Sequence, residues 1–396
     1  MEKEINKKNK MKNLKSFIII GLFVLVCSLI IVSAEGGTSG GGWFVQNGEI
    51  VVTGTETVNL DTAVDISKAF ILVRIVSSAA RTPDHLGVYA EWVNSTSFNL
   101  IQHTSGAVTA VWQVIESDDI SVQNGTLEFA EDELSFNITI DSIDVSKTVV
   151  FMTESSCDST DRGYMNEAYW TGNVTNSTNL YIQRDAGADC AGNVSYFVTE
   201  FNDGSTIQSG EIADVGLTAS PSYAIVNTIN MSNTWFYFSK AHTDPNLDES
   251  VRARPHNTTA FALSRRKTDG TARVQWYAIS TPGAIVQNGT TNMDSSINTE
   301  VTIDAIIVNR SLSIDSSDCA GAGDAQDNGR STSQILNTTT VAIKKGVISK
   351  NVDVSWQVVQ LPEGGGEAPP TPSTNVSSNL RLNNHFKLSS GHLIIM

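Results

Sequence analysis

Residues 111–125 read VWQVIESDDISVQNG, and the phrase returns with variations along the chain. It reappears as SYFVTEFNDGSTIQSG at 195–210 and as QWYAISTPGAIVQNG at 275–289. The second half stands alone at 43–50 (WFVQNGEI), and the first half stands alone at 355–364 (SWQVVQLPEG). A phrase present in halves at the two ends and whole in between is a seam, where one unit closes and the next opens. Four tandem units follow from it. The glycines of the opening half fall at Gly48, Gly125, Gly210 and Gly289, and the closing aromatics at Trp112, Tyr196, Trp276 and Trp356, so each unit is about 80 residues long.

Interior landmarks recur in the same order. DISKAFILVRIV (65–76) matches DVSKTVVFMTES (144–155), with looser counterparts in NMSNTWFYFSK (230–240) and VNRSLSID (308–315). A turn follows in each unit, in VNSTSFNLIQ (93–102), TNSTNLYIQ (175–183), HNTTAFALS (256–264) and LNTTTVAIK (336–344). Within a unit the hydrophobic period is two. Trp356 is flanked by Val354 and Val358, while Asp353, Ser355 and Gln357 face the other way. Such alternation predicts a strand with one face on a core, its aromatic a core anchor. Short β-rich runs between turn signals, with no helical stretch after residue 34, predict an all-β chain of four tandem antiparallel β-sandwich repeats. The expected boundaries are 43–117, 118–202, 203–283 and 284–361, followed by a Gly/Pro/Thr-rich linker and tail at 362–396. Linkers of about six residues imply a stiff row or a compact cluster.

The N-terminus points to export. A basic stretch precedes the apolar run FIIIGLFVLVCSLIIV (17–32), and small residues follow at 32–34. Residues 1–34 therefore read as a signal peptide, with an uncleaved membrane anchor as the alternative, which places the remainder outside the cell or on its surface. The chain carries a net charge of −16; residues 1–34 hold six lysines and two glutamates, a net +4, so the remainder is near −20. That charge repels phosphate backbones and argues against nucleic acid as a partner. An oxidising compartment permits a bond between Cys157 and Cys190 and leaves Cys319 over.

The order VQNG, AFILV, VYAEW, SFNL, VTAVWQVIE resembles the H-type lectin domain. That resemblance implies a six-stranded antiparallel sandwich opened by a Val-Gln-Ser-Gly stretch and closed by a W-x-x-x-E strand, which Trp112 to Glu116 matches. It further implies N-acetylgalactosamine-type binding at protomer interfaces through a Trp-His pair and a nearby arginine. The matching stretches here, at 101–108, 182–189, 264–271 and 343–350, lack that tryptophan, so the family's sugar specificity does not carry over. What those stretches share is a basic strand end, at His103, Arg184, Arg265/Arg266 and Lys344. In an acidic protein these residues are candidate carbohydrate contacts; the alternatives are a neighbouring repeat, or pairing with a carboxylate such as Asp185 or Asp269.

Three further features bear on function. The turn sequons at Asn94, Asn176, Asn257 and Asn337 place one candidate glycosylation site at a matching point of each repeat. The same Asn and Thr also form good hairpin turns. The loop DSSDCAGAGDAQDNGR (315–330) offers Asp315, Asp318, Asp324 and Asp327 as oxygen ligands of the kind Ca²⁺ takes. Their spacing fits no EF-hand and charged loops are ordinarily solvated, so no cofactor is implied. The chain holds no zinc-protease, nucleophile-elbow, P-loop or dinucleotide signature, and its six histidines are scattered. The expectation is a secreted or cell-surface repeat protein, not an enzyme, in an adhesive and glycan-binding role, gaining by avidity from four weak sites. The alternative is a structural surface-layer, stalk or fibre component. Expected partners are surface glycans, neighbouring surface proteins or further copies of the chain, with the membrane involved only through an uncleaved residue 1–34 segment.

Overall fold

The computed structural model describes residues 42–363, apart from 78–86, 104–106, 154–155, 158–168, 186–190, 217–220, 243–250, 266–270, 295, 321–329 and 347–350, together with a hairpin of 386–389 and 392–395. The leader at 1–34, Arg266, Cys190, Asp269, Asp324 and Asp327 lie outside the described residues. No helix among the described residues is long and apolar enough to cross a membrane.

The first repeat contains β1 (Phe44–Val52), β2 (Thr55–Asn59), β3 (Ala69–Ser77), β4 (Tyr89–Asn94), β5 (Ser97–Ile101) and β6 (Val108–Glu116). The second contains β7 (Ile120–Phe129), β8 (Ser135–Thr139), β9 (Thr148–Met152), β10 (Ser156–Cys157), β11 (Thr171–Asn176), β12 (Asn179–Gln183) and β13 (Gly192–Phe201). The third contains β14 (Thr206–Ile212), β15 (Ser222–Ile225), β16 (Thr234–His242), β17 (Arg252–Asn257), β18 (Ala260–Ser264) and β19 (Ala272–Ser280). The fourth contains β20 (Ile285–Met293), β21 (Asn298–Thr302), β22 (Ser311–Ala320), β23 (Ser331–Asn337), β24 (Thr340–Lys345) and β25 (Asn351–Gln360). Each repeat forms two antiparallel sheets. The inner sheets run β1-β6-β3, β7-β13-β9, β14-β19-β16 and β20-β25-β22, and the outer sheets β2-β5-β4, β8-β12-β11, β15-β18-β17 and β21-β24-β23. The chain is thus four antiparallel β-sandwich repeats. Only residues 117–119, 202–205 and 281–284 join them, which is shorter than the linkers expected.

The glycine and the glutamine of the opening phrase each have a mechanical reason. Gly48, Gly125, Gly210 and Gly289 pair in register with Trp112, Tyr196, Trp276 and Trp356 of the closing strands. A Cβ at Gly289 would lie 2.4 Å from Trp356 Cζ2, and one at Gly48 2.6 Å from Trp112 Cζ2, so glycine is required by the ring lying across it. Trp112 stands edge-on to Phe98 of the facing sheet at 5.5 Å, as expected of a core anchor. The glutamine of the phrase clamps the chain between the second and third strands. Gln46 bonds both backbone groups of Thr62, Gln123 those of Asp141 and Gln287 those of Asp304, while Gln208 accepts from Asn227 N–H. A side chain at the end of the closing strand acts likewise. Glu116, Glu200 and Gln360 accept from the N–H of Asp65, Asp144 and Ile307, where the third strand begins. We expect Gly289→Ala to cost about 1–3 kcal/mol by overpacking Trp356. Urea denaturation checks this, and a loss under about 0.5 kcal/mol contradicts the packing.

The closing strands are buried on both faces, where the sequence pattern implied one. Gln113, Gln275, Ser355 and Gln357 are as buried as the core, because the inner sheets pack against one another between repeats. One continuous apolar cluster takes in Phe70, Phe151, Trp235 and Leu312, one residue from each repeat. Phe70 stacks on Phe151 at 4.2 Å, and Phe151 meets Tyr237 at 4.8 Å. Polar side chains across these interfaces satisfy the open edges of the third strands, which otherwise present unpaired backbone groups. Gln113 of the first repeat donates to Ser313 C=O (2.7 Å) and accepts from Ser313 N–H (2.8 Å) of the fourth. Gln357 of the fourth repeat does the same to Phe236 of the third (3.1 and 3.0 Å). Tyr237 of the third bonds Met152 of the second through its hydroxyl (2.9 and 3.2 Å). The four sandwiches close on themselves, the first meeting the fourth. Of the two arrangements that short linkers allow, this is the compact cluster.

Candidate functional site

The closed arrangement brings equivalent residues of all four repeats to one place. In the inner sheets Val73, Met152, Phe238 and Asp315 lie opposite the four seam aromatics. The next residues along the third strands are Arg74, Thr153, Ser239 and Ser316. Beyond them come Ile75, Lys240 and Ser317 of the first, third and fourth repeats. All of these but Val73 line a cavity of about 90 Å³, closed further by Tyr169, Trp170, Val251, Arg330 and Ser331, which stand at or just before the fourth strands. The repeats are alike in backbone but unlike in these positions, so a symmetric scaffold ends in an asymmetric site.

Charge is the cavity's main property. Its described walls carry three cations, Arg74, Lys240 and Arg330, against one carboxylate, Asp315, in a chain whose net charge is −16. Tyr169 organises two of the cations: Lys240 Nζ lies 4.7 Å and Arg330 Cζ 5.3 Å from its ring centroid, and Arg330 donates to its hydroxyl. Such contacts contribute about 0.5–2 kcal/mol each. Asp315 is buried and already bonded within its own repeat, accepting from Ser331 Oγ (2.5 Å), Ser333 N–H (2.9 Å) and Ser333 Oγ (3.1 Å). Burial pushes its carboxyl above the ordinary value, against the pull of Arg74 and the serine donors. 

His242 packs against Tyr169 at 4.5 Å. Burial first, then the charges of Lys240, Arg330 and Arg265, hold its ring well below the ordinary value of 6.5. A depressed folded-state value means stability present above the unfolded value and lost as pH falls. We therefore expect a loss of about 1.4 kcal/mol per pH unit below about 6.5, absent in His242→Asn. Urea titrations of both proteins at pH 5 to 7 check this, and equal slopes contradict it.

The basic strand ends found in the sequence do not line this cavity. Arg184 is 3% exposed; its guanidinium donates to Glu133 C=O (2.7 Å), Ala130 C=O (2.9 Å) and Glu131 C=O (2.7 Å), and stacks on Phe129 and Trp170. Arg265, 5% exposed, donates to Val215 C=O (2.8 Å) and Asp214 (3.1 Å). In the fourth repeat the matching latch is Lys345, bonded to Met293 C=O, while the adjacent Lys344 pairs with Glu49 of the first repeat. His103 is exposed, bonds Asn193 of the second repeat (2.9 Å) and stacks on Tyr89 at 5.6 Å. Asp185, considered as a partner for these cations, bonds Arg273 of the third repeat at 2.8 Å.

The remaining candidates are also placed. Asn94, Asn176, Asn257 and Asn337 are all exposed, and each Oδ1 accepts from the backbone and hydroxyl of the threonine two residues on, forming the expected turn. Cys157 pairs through its backbone with Gly192. Asp318 pairs with Arg252, so Asp315 and Asp318 have separate partners. Among the described residues no group of three or more His, Cys, Asp or Glu is arranged to hold a metal ion. The sequence signal for the cavity is Arg74 and Lys240 near the ends of the matched landmarks, but only convergence of the four copies gives it meaning. No family model matches this chain, and no curated protein is similar enough to count as a match.

Proposed function

We propose that this is an exported, cell-surface repeat protein that binds a ligand rather than transforming one, in an adhesive and glycan-binding role. The leader pattern of residues 1–34 supports export. The observation that carries the binding reading is the convergence of unlike residues from four equivalent strands on one cavity. A repeat protein built only to fill space has no need of that asymmetry. The reading differs from avidity through four weak sites, since Arg184 and Arg265 are occupied inside their own repeats; it implies one composite site per chain. A glycan array probed with the purified protein, with light scattering for its oligomeric state, tests it. A defined set of bound glycans at one per chain is expected, and a blank array argues against it.

The second reading is a structural surface-layer, stalk or fibre component. It is favoured by the use of polar strand ends as contacts between repeats, His103 to Asn193 and Lys344 to Glu49. An ordered assembly of the purified protein together with a blank array supports it.

A further inference from the structure

Resting on the export reading and not on the cavity, we propose that the hairpin tips at Asn94, Asn176, Asn257 and Asn337 carry N-linked saccharides, placed at the end of each sandwich remote from the cavity. An asparagine there also makes a good turn. Three observations separate a modification site from a turn alone. The first is the constancy of the amide. In each tip Oδ1 accepts from the N–H and hydroxyl of the threonine two residues on, at 2.8–3.2 Å. A carboxylate makes the same two bonds and, being charged, makes them stronger. This chain uses one elsewhere: Asp65 accepts from Ser67 N–H and Oγ (3.0 and 2.6 Å), and Asp144 from those of Ser146 (3.0 and 2.6 Å). At that place, before the third strand, the third repeat has Asn230 and the fourth has Ile307, which makes no such bond. The same turn thus varies there, while all four tips read Asn, then Ser or Thr, then Thr.

The second observation is access. Every residue of 94–96, 176–178, 257–259 and 337–339 is exposed, and among the described residues none of the four Nδ2 groups donates a hydrogen bond. Nδ2 is the atom that reacts. It attacks the anomeric carbon of a saccharide carried as a lipid diphosphate ester and presented by a transferase of the export pathway. A C–N bond forms and the C–O bond to phosphate breaks; the diphosphate leaves with the electron pair, and one Nδ2 proton passes to the transferase. By contrast Asn173 and Asn193 stand half-buried in β11 and β13, and Asn193 is bonded to His103 of the first repeat. The third observation is position. The tips accept from the N–H of Leu60 and Val64, Ile140 and Ile143, Val226 and Ile229, or Ile303 and Ile306, on the crossings that lead to the third strands. Those strands begin at the seams, whereas Ile75, Lys240 and Ser317 of the cavity lie toward their other ends. Saccharides at the tips therefore leave the cavity uncovered.

The test is site mapping by tandem mass spectrometry on the full chain purified from the cells that make it, with its location recorded by fractionation. We expect an exported chain with a saccharide on each of the four tip asparagines and none on Asn173 or Asn193. Asn94→Asp, Asn176→Asp, Asn257→Asp and Asn337→Asp combined keep an acceptor for the turn bonds and remove the reactive amide. That variant is expected to lose all four saccharide masses while its β-sheet circular dichroism is unchanged. An exported chain bare at the tips overturns the modification and leaves export standing. A chain retained inside the cell and bare overturns the export reading and the modification with it. Saccharide at fewer than three tips, saccharide on Asn173 or Asn193, or a combined variant that keeps its full saccharide mass overturns the placement.

Discussion

Arg252→Ala is expected to lower the unfolding free energy by about 3–5 kcal/mol, the usual cost of stranding a buried charge. Arg252 opens β17 of the third repeat and reaches across to the fourth. Its Nε lies 3.3 Å from Asp318 Oδ2 and its NH1 3.2 Å from Asp353 Oδ2. The side chain of Asp318 is fully buried and that of Arg252 nearly so, whereas Asp353 keeps partial access to water and a second donor in Asn292 (2.6 Å). The penalty therefore falls on Asp318. Combining Arg252→Met with Asp318→Leu is expected to recover most of the loss, since a buried pair contributes little beyond apolar packing of the same volume. Urea denaturation of the three proteins checks this. A loss under about 1 kcal/mol in Arg252→Ala would mean that water reaches Asp318.

Gln113→Ala is expected to cost about 2–5 kcal/mol, because it leaves two buried backbone groups of Ser313 without a partner at about 1–3 kcal/mol each. The residue stands on the solvent-facing register by sequence pattern, yet it is 4% exposed. Its amide satisfies the open edge of β22 and joins the first repeat to the last across 200 residues of sequence. The expected signature is specific: faster hydrogen exchange at Ser313 and its β22 neighbours, with the sandwich core of the third repeat unchanged. Exchange unaltered at β22 would show that the closure does not depend on this contact.

Much of the fold was legible because its signals are local or nearly so. Trp356 among alternating valines declares a strand and its core face. VQNG marks where the next unit starts, and Asn-Ser-Thr or Asn-Thr-Thr marks a hairpin by bonds spanning two residues. The basic strand ends illustrate the opposite case. Arg184 and Arg265 look like surface cations in a row of polar residues, but their partners are backbone carbonyls about 50 residues earlier, which no charge pattern can reveal. Lys344 reads the same way and faces Glu49, 295 residues distant.

By itself, then, the sequence determined that the chain is all-β and built of four antiparallel sandwich repeats. Those properties follow from period-two burial and turn chemistry, which act over a few residues. Only the tertiary structure decided that the second face of each closing strand is buried, that the first repeat meets the fourth, and that Arg74, Lys240, Arg330 and Asp315 share one cavity. The physical reason is that a polar side chain such as Gln113 suits water and a strand edge equally well. Which of the two it meets depends on how whole sheets stack, and that is settled by apolar contacts between repeats, such as Phe70 on Phe151, rather than by any stretch of chain.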